Sequence, residues 1–315
     1  MIRLKIGNPI VWEETRAGWN YVMDILSRFN DDTGILFDGT LDQSFGYAAY
    51  DKKRNGIIPY KEPWIGFIHS TIDVCPFLKD EYLLLDDIIL SEDFAESLSQ
   101  CKGIFALSEY LAKHIREKLN HSVKVESLKH PTEFTSVHFE FEKFLRERKI
   151  VHAGVWLRKV SSFFQLNAEG IRKILLLNPR LLGYLGSELN YDDDLRLNFK
   201  SVEIVHRLPN EEYDLLLSES IVFLHLCDSS ASNTVIECIA RGTPLLVNRL
   251  EPVTEYLGKD YPFYYRSLEE ASEMLSDLAL IRKTAEYLKE FPGKKELTGE
   301  HFINSFLNSE IIRSL

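Results

Sequence analysis

Short apolar runs alternate with amphipathic segments along the first 130 residues of the chain. The runs are four to six residues long and rich in β-branched and aromatic side chains, which is typical of buried strands. The segments at 19–29 and 109–119 instead repeat apolar residues at helical spacing. This alternation predicts a parallel sheet covered by helices. The predicted strands of this half are residues 2–6, 35–38, 64–69, 103–108 and 123–128.

A second alternating set follows a break in the pattern at 131–148, where a Thr-, Glu- and Phe-rich stretch predicts a linker. The predicted strands here are 150–153, 174–177, 202–205, 221–226 and 245–247, and the predicted helices are 210–218, 233–241, most of 268–291 and 299–315. The sequence therefore predicts an α/β protein with two Rossmann-like, doubly wound domains facing a cleft. The predicted divisions are 1–132, a linker at 133–148, 149–292, and a C-terminal helix at 293–315 that packs back on the first domain.

Composition narrows the class of protein. With 315 residues, 45% apolar and 27% charged, the chain is long enough for two globular domains, and its net charge of −11 argues against a nucleic-acid partner. The first residues are predicted to form a strand rather than a secretory leader, and no apolar run approaches the roughly 18 residues of a membrane span. Three of the four cysteines lie in apolar surroundings, which predicts core thiols in a reducing compartment. We expect a cytoplasmic protein whose membrane contact, if any, is peripheral at the inner face.

The most informative run spans residues 223–249 and is predicted to form a strand, a loop of small residues, a short helix and a second strand. Ser232 or Asn233 can cap the helix, and Gly242 can end it. The helix start then offers free N–H groups and a positive dipole end to an anion, and Glu237 lies one turn inside. This arrangement suits a nucleoside diphosphate whose ribose hydroxyls need an acceptor.

The same run resembles the donor-binding segment of retaining glycosyltransferases with the two-domain GT-B fold, family 4 and its relatives. In that family two glutamates are separated by seven residues and followed by Gly-Thr-Pro. Glu237 matches the second glutamate and Gly242-Thr243-Pro244 follows it, but Ser229 stands where the first glutamate would be. The resemblance covers most of the chain and is strongest at 150–260. It implies that Glu237 binds the donor ribose, and it leaves the contacts of Ser229 with the transferred sugar open.

Cationic residues follow the first strand of the second half. Gly154 permits a tight turn, and Arg158 and Lys159 come after it. Related transferases carry an Arg and a Lys in this region that neutralise the leaving diphosphate, a mainly electrostatic task. The resemblance thus implies this role for Arg158 and Lys159, although the family usually separates the two residues. The alternative for both is the solvated start of a helix.

Further candidates lie on loops that follow predicted strands. The backbone N–H groups of residues 231–234 could bind phosphate, and the donor-binding candidates are completed by small polar residues of this loop and helix start: Ser229, Ser230, Asn233 and Thr234. His69 ends a strand where the family often has a histidine near the transferred sugar, or it is simply structural. Gly18 and Arg16 precede the first helix and are acceptor-side candidates, with a solvated cap as the alternative for Arg16.

Several motifs are missing from the sequence. It contains no Gly-x-Gly-x-x-Gly after a strand, no P-loop and no zinc-type Cys/His spacing, so no cofactor is predicted. The acidic triplet at 192–194 is predicted to be a solvated loop rather than a metal site. The resulting hypothesis is metal-free transfer, with retention, of a sugar from a UDP- or GDP-linked donor to a saccharide or lipid-linked saccharide, as in polysaccharide biosynthesis. The alternatives are a non-catalytic member that binds sugar nucleotide or partners a transferase, and a sugar-nucleotide epimerase.

Overall fold

The structure is a computed structural model that describes residues 2–7, 15–178, 182–192, 195, 197–206 and 208–315. The chain divides into two units, and each contains one parallel sheet. Unit 1 comprises Met1–Asp73, Glu81–Glu133 and Lys295–Leu315, and unit 2 comprises Val74–Asp80 and Phe134–Lys294. The short segment Val74–Asp80 therefore belongs to unit 2 although its neighbours in sequence belong to unit 1.

The sheet of unit 1 has five parallel strands among the described residues, and they lie side by side in chain order. They are β1 (Leu4–Ile6), β2 (Ile35–Asp38), β3 (Trp64–Ile68), β4 (Cys101–Ala106) and β5 (Val125–Ser127). The helices between them are α1 (Trp19–Ser27), α2 (Ala49–Arg54), α3 (Leu85–Ile89), α4 (Glu92–Ser97) and α5 (Glu109–Lys118).

Side chains from this sheet bury apolar surface on both faces because successive strand residues point to opposite sides. On one face Trp64 packs against Phe94 of α4, with ring centroids 6.1 Å apart. On the other face Phe67 stacks on Phe105 at 4.9 Å and meets Trp19 of α1 at 5.0 Å. Both faces are thus covered by helices, as the sequence predicts for a parallel sheet.

The sheet of unit 2 contains six parallel strands among the described residues, in the order β11-β10-β9-β6-β7-β8. They are β6 (Lys149–Ala153), β7 (Arg172–Leu176), β8 (Glu203–Val205), β9 (Ser220–Leu224), β10 (Leu245–Asn248) and β11 (Tyr264–Tyr265). The strand order reverses between β6 and β9, so the carboxyl ends of these two strands form the switch point at which open α/β sheets bind ligands.

The helices of unit 2 include one inside the predicted linker. They are α6 (Phe141–Glu147), α7 (Ser161–Gln165), α8 (Leu182–Tyr191), α9 (Asn210–Ser218), α10 (Asn233–Arg241), α11 (Glu251–Leu257), α12 (Leu268–Ser276) and α13 (Leu278–Glu290). Helix α6 packs through Phe144, which is fully buried. The predicted linker at 133–148 therefore contains a helix, α6.

The last residues form two helices, α14 (Gly299–Asn308) and α15 (Glu310–Arg313), rather than the single predicted one. The break lies at Ser309, whose hydroxyl caps α15 by accepting from the Ile312 N–H at 3.2 Å. Phe306 of α14 packs on Phe105 of the unit 1 sheet at 5.4 Å. Ile311 of α15 lies so close to Gly103 that an added Cβ there would be 2.5 Å from it.

The expectation of core thiols fails for two cysteines. Cys75 and Cys227 form a disulfide within unit 2, and Cys101 and Cys238 are free. The two bonded residues are 152 positions apart, so their spacing carried no signal that the fold would bring them together. The bond joins the segment Val74–Asp80 to the loop that follows β9.

We expect loss of this disulfide to destabilise unit 2, because the bond closes a long loop and so limits the unfolded chain. A Cys75→Ser/Cys227→Ser variant should lose about 2–4 kcal/mol of unfolding free energy in urea titrations under oxidising conditions. The matched control is Cys101→Ser, which removes a free, partly buried thiol. Equal stability of the double variant and the wild type would show that the bond does not form in solution.

Candidate functional site

Two loops at the carboxyl ends of β6 and β9 are hydrogen-bonded to each other. The Lys159 N–H donates to the His225 carbonyl at 2.9 Å, and the Cys227 N–H donates to the Leu157 carbonyl at 2.9 Å. Asn248, at the end of β10, bonds both the N–H and the carbonyl of Leu226, at 2.7 and 2.9 Å. The loops are therefore fixed by the backbone before any ligand binds.

Gly154 and Arg158 fit together in the first of these loops. Gly154 has φ of +77°, and a Cβ there would lie 2.4 Å from Nη1 of Arg158. Leu157 also has positive φ, at +56°, which is uncommon for a residue with a side chain. The turn is thus shaped to bring the Arg158 guanidinium back over the end of β6, a geometry that explains the glycine at 154.

Arg158 carries its charge into this site. Its Nη2 donates to Thr234 Oγ1 at 3.1 Å and its Nη1 to the Trp156 carbonyl at 3.4 Å, and both acceptors are neutral. Burial lowers the pKa of Arg158 to about 10, opposed by the nearby Tyr213 and Glu237, so the group stays protonated at neutral pH. Lys159, in contrast, is exposed. Of the two predicted cations, Arg158 is the one held against α10.

The start of α10 is the anion-receptive end that the sequence predicts, with one difference. Ser232 occupies the N-cap position, but its hydroxyl makes no capping bond. The first N–H groups of the helix are therefore not satisfied by this side chain, and they keep their capacity for a ligand. Asn233 is exposed at the first helical position, and Thr234 is buried beside Arg158.

Four buried polar atoms around these loops have no hydrogen-bond partner within the described part of the chain. Buried polar groups are normally paired, so each of these atoms keeps the capacity for a further hydrogen bond. One of these atoms is Nδ1 of His225. Burial, and after it the charge of Lys159, lowers the pKa of His225 to about 4, so the ring is neutral at pH 7. The four atoms are Arg158 Nε, His225 Nδ1, Ser230 Oγ and Ser232 Oγ.

Glu237 is buried within α10. All residues of Thr234–Arg241 are buried, and Glu237 is 4% exposed. Burial and then the charge of the Glu237 carboxylate raise the pKa of the Tyr213 hydroxyl on α9. A carboxylate thus lies one turn inside the helix, on the same helix as Thr234 and close enough to Arg158 to influence its pKa.

Ser229 stands where the GT-B family that the sequence resembles has its first glutamate. It is buried with its neighbours in the loop before α10. Asp228, Ser229 and Ser230 are each 4–6% exposed. The Ser229 N–H donates to Oδ1 of Asp228 at 2.7 Å, which fixes the loop locally. Ser229 and Ser230 therefore lie buried in the loop that leads from β9 to α10, the helix whose Thr234 contacts Arg158.

In unit 1, His69 follows β3 and pairs with Asp42. The His69 N–H donates to Asp42 Oδ1 at 3.0 Å, and Nδ1 of the ring lies 3.3 Å from the same oxygen. Burial alone would raise the pKa of Asp42, but the bonds and charge of His69 outweigh it and the pKa is lowered. The ring also meets Trp19 edge-on at 4.2 Å, and its Nε2 is buried without a partner among the described residues. Asp42 thus orients the His69 ring.

The acceptor-side candidates occupy a well-bonded turn in unit 1. Arg16 forms an ion pair with Glu133 at 2.9 Å, and its backbone carbonyl accepts from the Glu133 N–H. Gly18 is the N-cap of α1, and its N–H donates to the Thr15 carbonyl at 2.9 Å. Arg16 is therefore engaged by a carboxylate of its own chain.

Unit 1 also contains an open groove of about 690 Å³ at the β1–β2 edge of its sheet. The groove reaches Asp38 at the carboxyl end of β2, and the Tyr60 hydroxyl donates to Oδ2 of Asp38 at 2.6 Å. Lysine side chains line it as well, namely Lys5, Lys52 and Lys61. None of the predicted site residues lines this groove.

A comparison of the sequence with protein-family models gives no match, and a comparison with curated proteins gives none. Solved structures do match. HepE from Anabaena, in complex with UDP and glucose, is 10% identical with a TM-score of 0.63 over 89% of this chain and 78% of HepE. A TarM variant from S. aureus, in complex with fondaparinux, α-GlcNAc-glycerol and UDP, is 13% identical with a TM-score of 0.56 over 92% of this chain.

The pneumococcal O-GlcNAc transferase GtfA, in complex with UDP and GlcNAc, is 8% identical with a TM-score of 0.58 over 90% of this chain. The fold is that of the GT-B glycosyltransferases. The chain spans a little over half the length of TarM and GtfA, at 58% and 57%. The fold class predicted from the sequence is thereby confirmed.

Two other features, a metal-binding cluster and a membrane-spanning helix, are absent from the described residues. No three His, Cys, Asp or Glu side chains among them gather where they could share a metal ion. No helix in the described ranges is long and apolar enough to cross a membrane. Two members of the acidic triplet at 192–194 lie outside the described residues, so its predicted loop stays a prediction.

Sequence reasoning missed the residues that hold the predicted ones in place. Asp42, which orients His69, lies 27 positions from it, and this spacing is not a motif. Asn248 directly follows the predicted strand 245–247, but its bonds to Leu226 depend on the pairing of β10 with β9. From the sequence alone, only the position of these residues near the ends of predicted elements could be predicted.

Proposed function

We propose that this protein is a glycosyltransferase whose unit 2 binds a nucleotide-sugar donor, UDP- or GDP-linked, at the carboxyl ends of β6 and β9. The observation that carries the proposal is the arrangement of Arg158 at the start of α10, with Glu237 one turn inside that helix. A guanidinium and free helix N–H groups suit a diphosphate, and a carboxylate suits ribose hydroxyls. The UDP complexes of HepE, TarM and GtfA support this class of ligand.

The proposed reaction transfers the sugar with retention of configuration. The bond between the anomeric carbon and the diphosphate oxygen breaks, and the nucleoside diphosphate leaves with the electron pair. An acceptor hydroxyl forms the new bond to that carbon and gives its proton to the departing phosphate. Arg158 stabilises the negative charge that develops on the leaving group, and the neutral Thr234 hydroxyl and the fixed turn at Gly154 keep the guanidinium oriented.

Unit 1 supplies the acceptor side in this proposal, for a saccharide or a lipid-linked saccharide. His69 is held by Asp42 through Nδ1, which leaves Nε2 of the ring to hydrogen-bond a hydroxyl of the acceptor. Gly18 and Arg16 contribute by shaping the turn before α1, and Arg16 does so through its pair with Glu133. Lys159 and Asn233, both exposed, are left to contact the outer part of the donor.

The function is tested by incubating the protein with radiolabelled UDP- and GDP-sugars and separating the products. We expect one donor to give a glycosylated product with a saccharide acceptor, or slow release of free sugar without one. Binding of nucleotide without any turnover would instead support a non-catalytic sugar-nucleotide-binding protein. An altered free nucleotide sugar would support an epimerase.

We also predict that EDTA leaves the transfer rate unchanged, because Arg158 and the α10 N-terminus supply the positive charge that a divalent cation would otherwise provide. The measurement compares initial rates after dialysis against EDTA with rates in added Mg²⁺ or Mn²⁺. A transferase known to require Mn²⁺ serves as the control for complete chelation. Activity that EDTA abolishes and Mn²⁺ restores would contradict a metal-free mechanism.

A further inference from the structure

Helix α7 begins two residues after Lys159, and a buried carboxylate from α8 holds its first turn. Glu188 is 3% exposed, and both of its carboxylate oxygens accept from the Ser161 N–H at 3.2 Å. The Ser161 hydroxyl donates to the same carboxylate. The first N–H groups of a helix have no partner inside it, so Glu188 satisfies one of them and faces the positive end of the helix dipole.

A buried ammonium from β7 holds the other end of α7. Lys173 is 8% exposed, and its Nζ donates to the carbonyls of Phe164 and Leu166 at 3.0 and 2.9 Å. The same Nζ lies 5.2 Å from the centroid of the Phe163 ring. Burial lowers the pKa of Lys173 to about 8, so the group stays mainly protonated at neutral pH. A positive charge thus lies at the negative end of the helix.

Glu188 and Lys173, here called the α7 clamp, direct their charges at the helix between them. Glu188 bonds Ser161 at the first position of α7, and Lys173 bonds carbonyls at and just beyond its last turn. A helix of five residues is too short to be stable by itself, so it depends on such contacts. The α7 clamp therefore fixes where the helix begins and ends.

The start of α7 is bonded to the turn that carries Arg158. The Ser162 N–H donates to the Lys159 carbonyl at 3.2 Å, and the Arg158 N–H donates to the Val155 carbonyl at 3.1 Å. Arg158 also pairs with Leu226 in an isolated antiparallel bridge. The backbone of Arg158 therefore lies between the loop after β9 and a helix whose two ends are fixed.

We propose that Glu188 and Lys173 are positioning residues for Arg158: they hold α7 so that the guanidinium meets the leaving diphosphate without rearranging. This inference rests on the proposed function, which assigns the leaving group to Arg158. A charge-stabilising donor is most effective when it is already in place, and a displacement of about 1 Å can cost about 10²-fold in rate. The α7 clamp acts on the position of Arg158 through the backbone.

The test is a double-mutant cycle between the α7 clamp and Arg158 in the full chain. Lys173→Met keeps an unbranched side chain and removes the ammonium. We expect it to lower kcat for sugar transfer by at least about fivefold while KM for the donor stays within about twofold. In an Arg158→Ala background the same change should lower kcat by less than about twofold, because no guanidinium remains to be positioned.

Glu188→Gln tests the other end of the α7 clamp. Glutamine keeps the size of the side chain and removes its charge, so this variant is the milder one and carries the cycle alone if Lys173→Met fails to fold. We expect kcat to fall by at least about threefold in the wild type and by less than about twofold in Arg158→Ala.

Lys149→Met is the matched control. Lys149 is also 8% exposed, and it is the first residue of the neighbouring strand β6, at the end opposite the loop that carries Arg158. Its ammonium pairs with Glu147 and Glu219, so its loss should lower the free energy of unfolding. Lys149→Met should nevertheless leave kcat within about twofold of the wild type, because it does not touch α7.

The outcomes separate this inference from the function on which it rests. Equal losses of kcat for the α7 clamp variants in the wild-type and Arg158→Ala backgrounds, or no loss in the wild type, would overturn the positioning role. So would a loss in Lys149→Met as large as that in Lys173→Met. A wild type that transfers no sugar, or an Arg158→Ala variant with the wild-type kcat, would instead overturn the proposed function.

Discussion

Replacing Arg158 with alanine is expected to lower kcat/KM for sugar transfer by about 10²–10³-fold, the usual cost of losing one preorganised charge-stabilising donor. The guanidinium is held over the start of α10 by Thr234 and by the turn at Gly154, so a lysine cannot reproduce its two-pronged geometry. Arg158→Lys should therefore recover only part of the lost rate. Steady-state kinetics with a limiting donor give both values.

The matched control for Arg158 is Arg172→Ala. Arg172 is exposed in the same unit and forms a surface pair with Glu203, so its loss should change kcat/KM by less than about twofold. A thermal melt of each variant reports whether the fold is kept. If folded Arg158→Ala retained wild-type kcat/KM, Arg158 would have no part in stabilising the leaving group.

Glu237→Ala is expected to weaken nucleoside diphosphate binding by about tenfold or more, since a hydrogen bond to a charged group is worth about 1.5–3 kcal/mol. Because Glu237 is buried, alanine also removes packed side-chain volume at this position. Glu237→Gln keeps the shape and removes the charge, and it should show most of the same loss. Calorimetric affinities for UDP and GDP provide the comparison.

A carboxylate elsewhere in the same unit controls for the change in net charge. Glu286 is exposed on α13, and Glu286→Gln should leave nucleotide affinity unchanged. Equal affinities of the wild type and folded Glu237→Gln would remove Glu237 from the donor site.

The fold followed from local patterns that the sequence displays. Helices α9 and α10 begin and end at the bounds that the sequence predicts, and Gly242 ends α10 as expected, because short helices between buried strands have clear ends. The C-terminal helix predicted as one is two helices, because the Ser309 side chain bonds the backbone at the start of α15 instead of continuing α14. Short helices such as α3 and α4 carry too few turns to show a period.

The candidate site could be predicted only where a motif runs along the chain. Arg158 lies in the loop after β6, and Glu237 lies on the helix that follows β9. Parallel topology brings these two strands side by side, so the order of the elements along the chain predicts that both residues lie at the same end of the sheet. The burial of Glu237 and the Cys75–Cys227 disulfide depend on contacts between distant segments. Those contacts arise from packing, which a periodic pattern does not encode.

The most direct test of the donor site is a crystal structure of the protein with UDP or GDP bound. The account predicts ribose hydroxyls within about 3.2 Å of the Glu237 carboxylate and diphosphate oxygens in contact with Arg158 and the first N–H groups of α10. A nucleotide bound elsewhere, with Glu237 and Arg158 untouched, would contradict it.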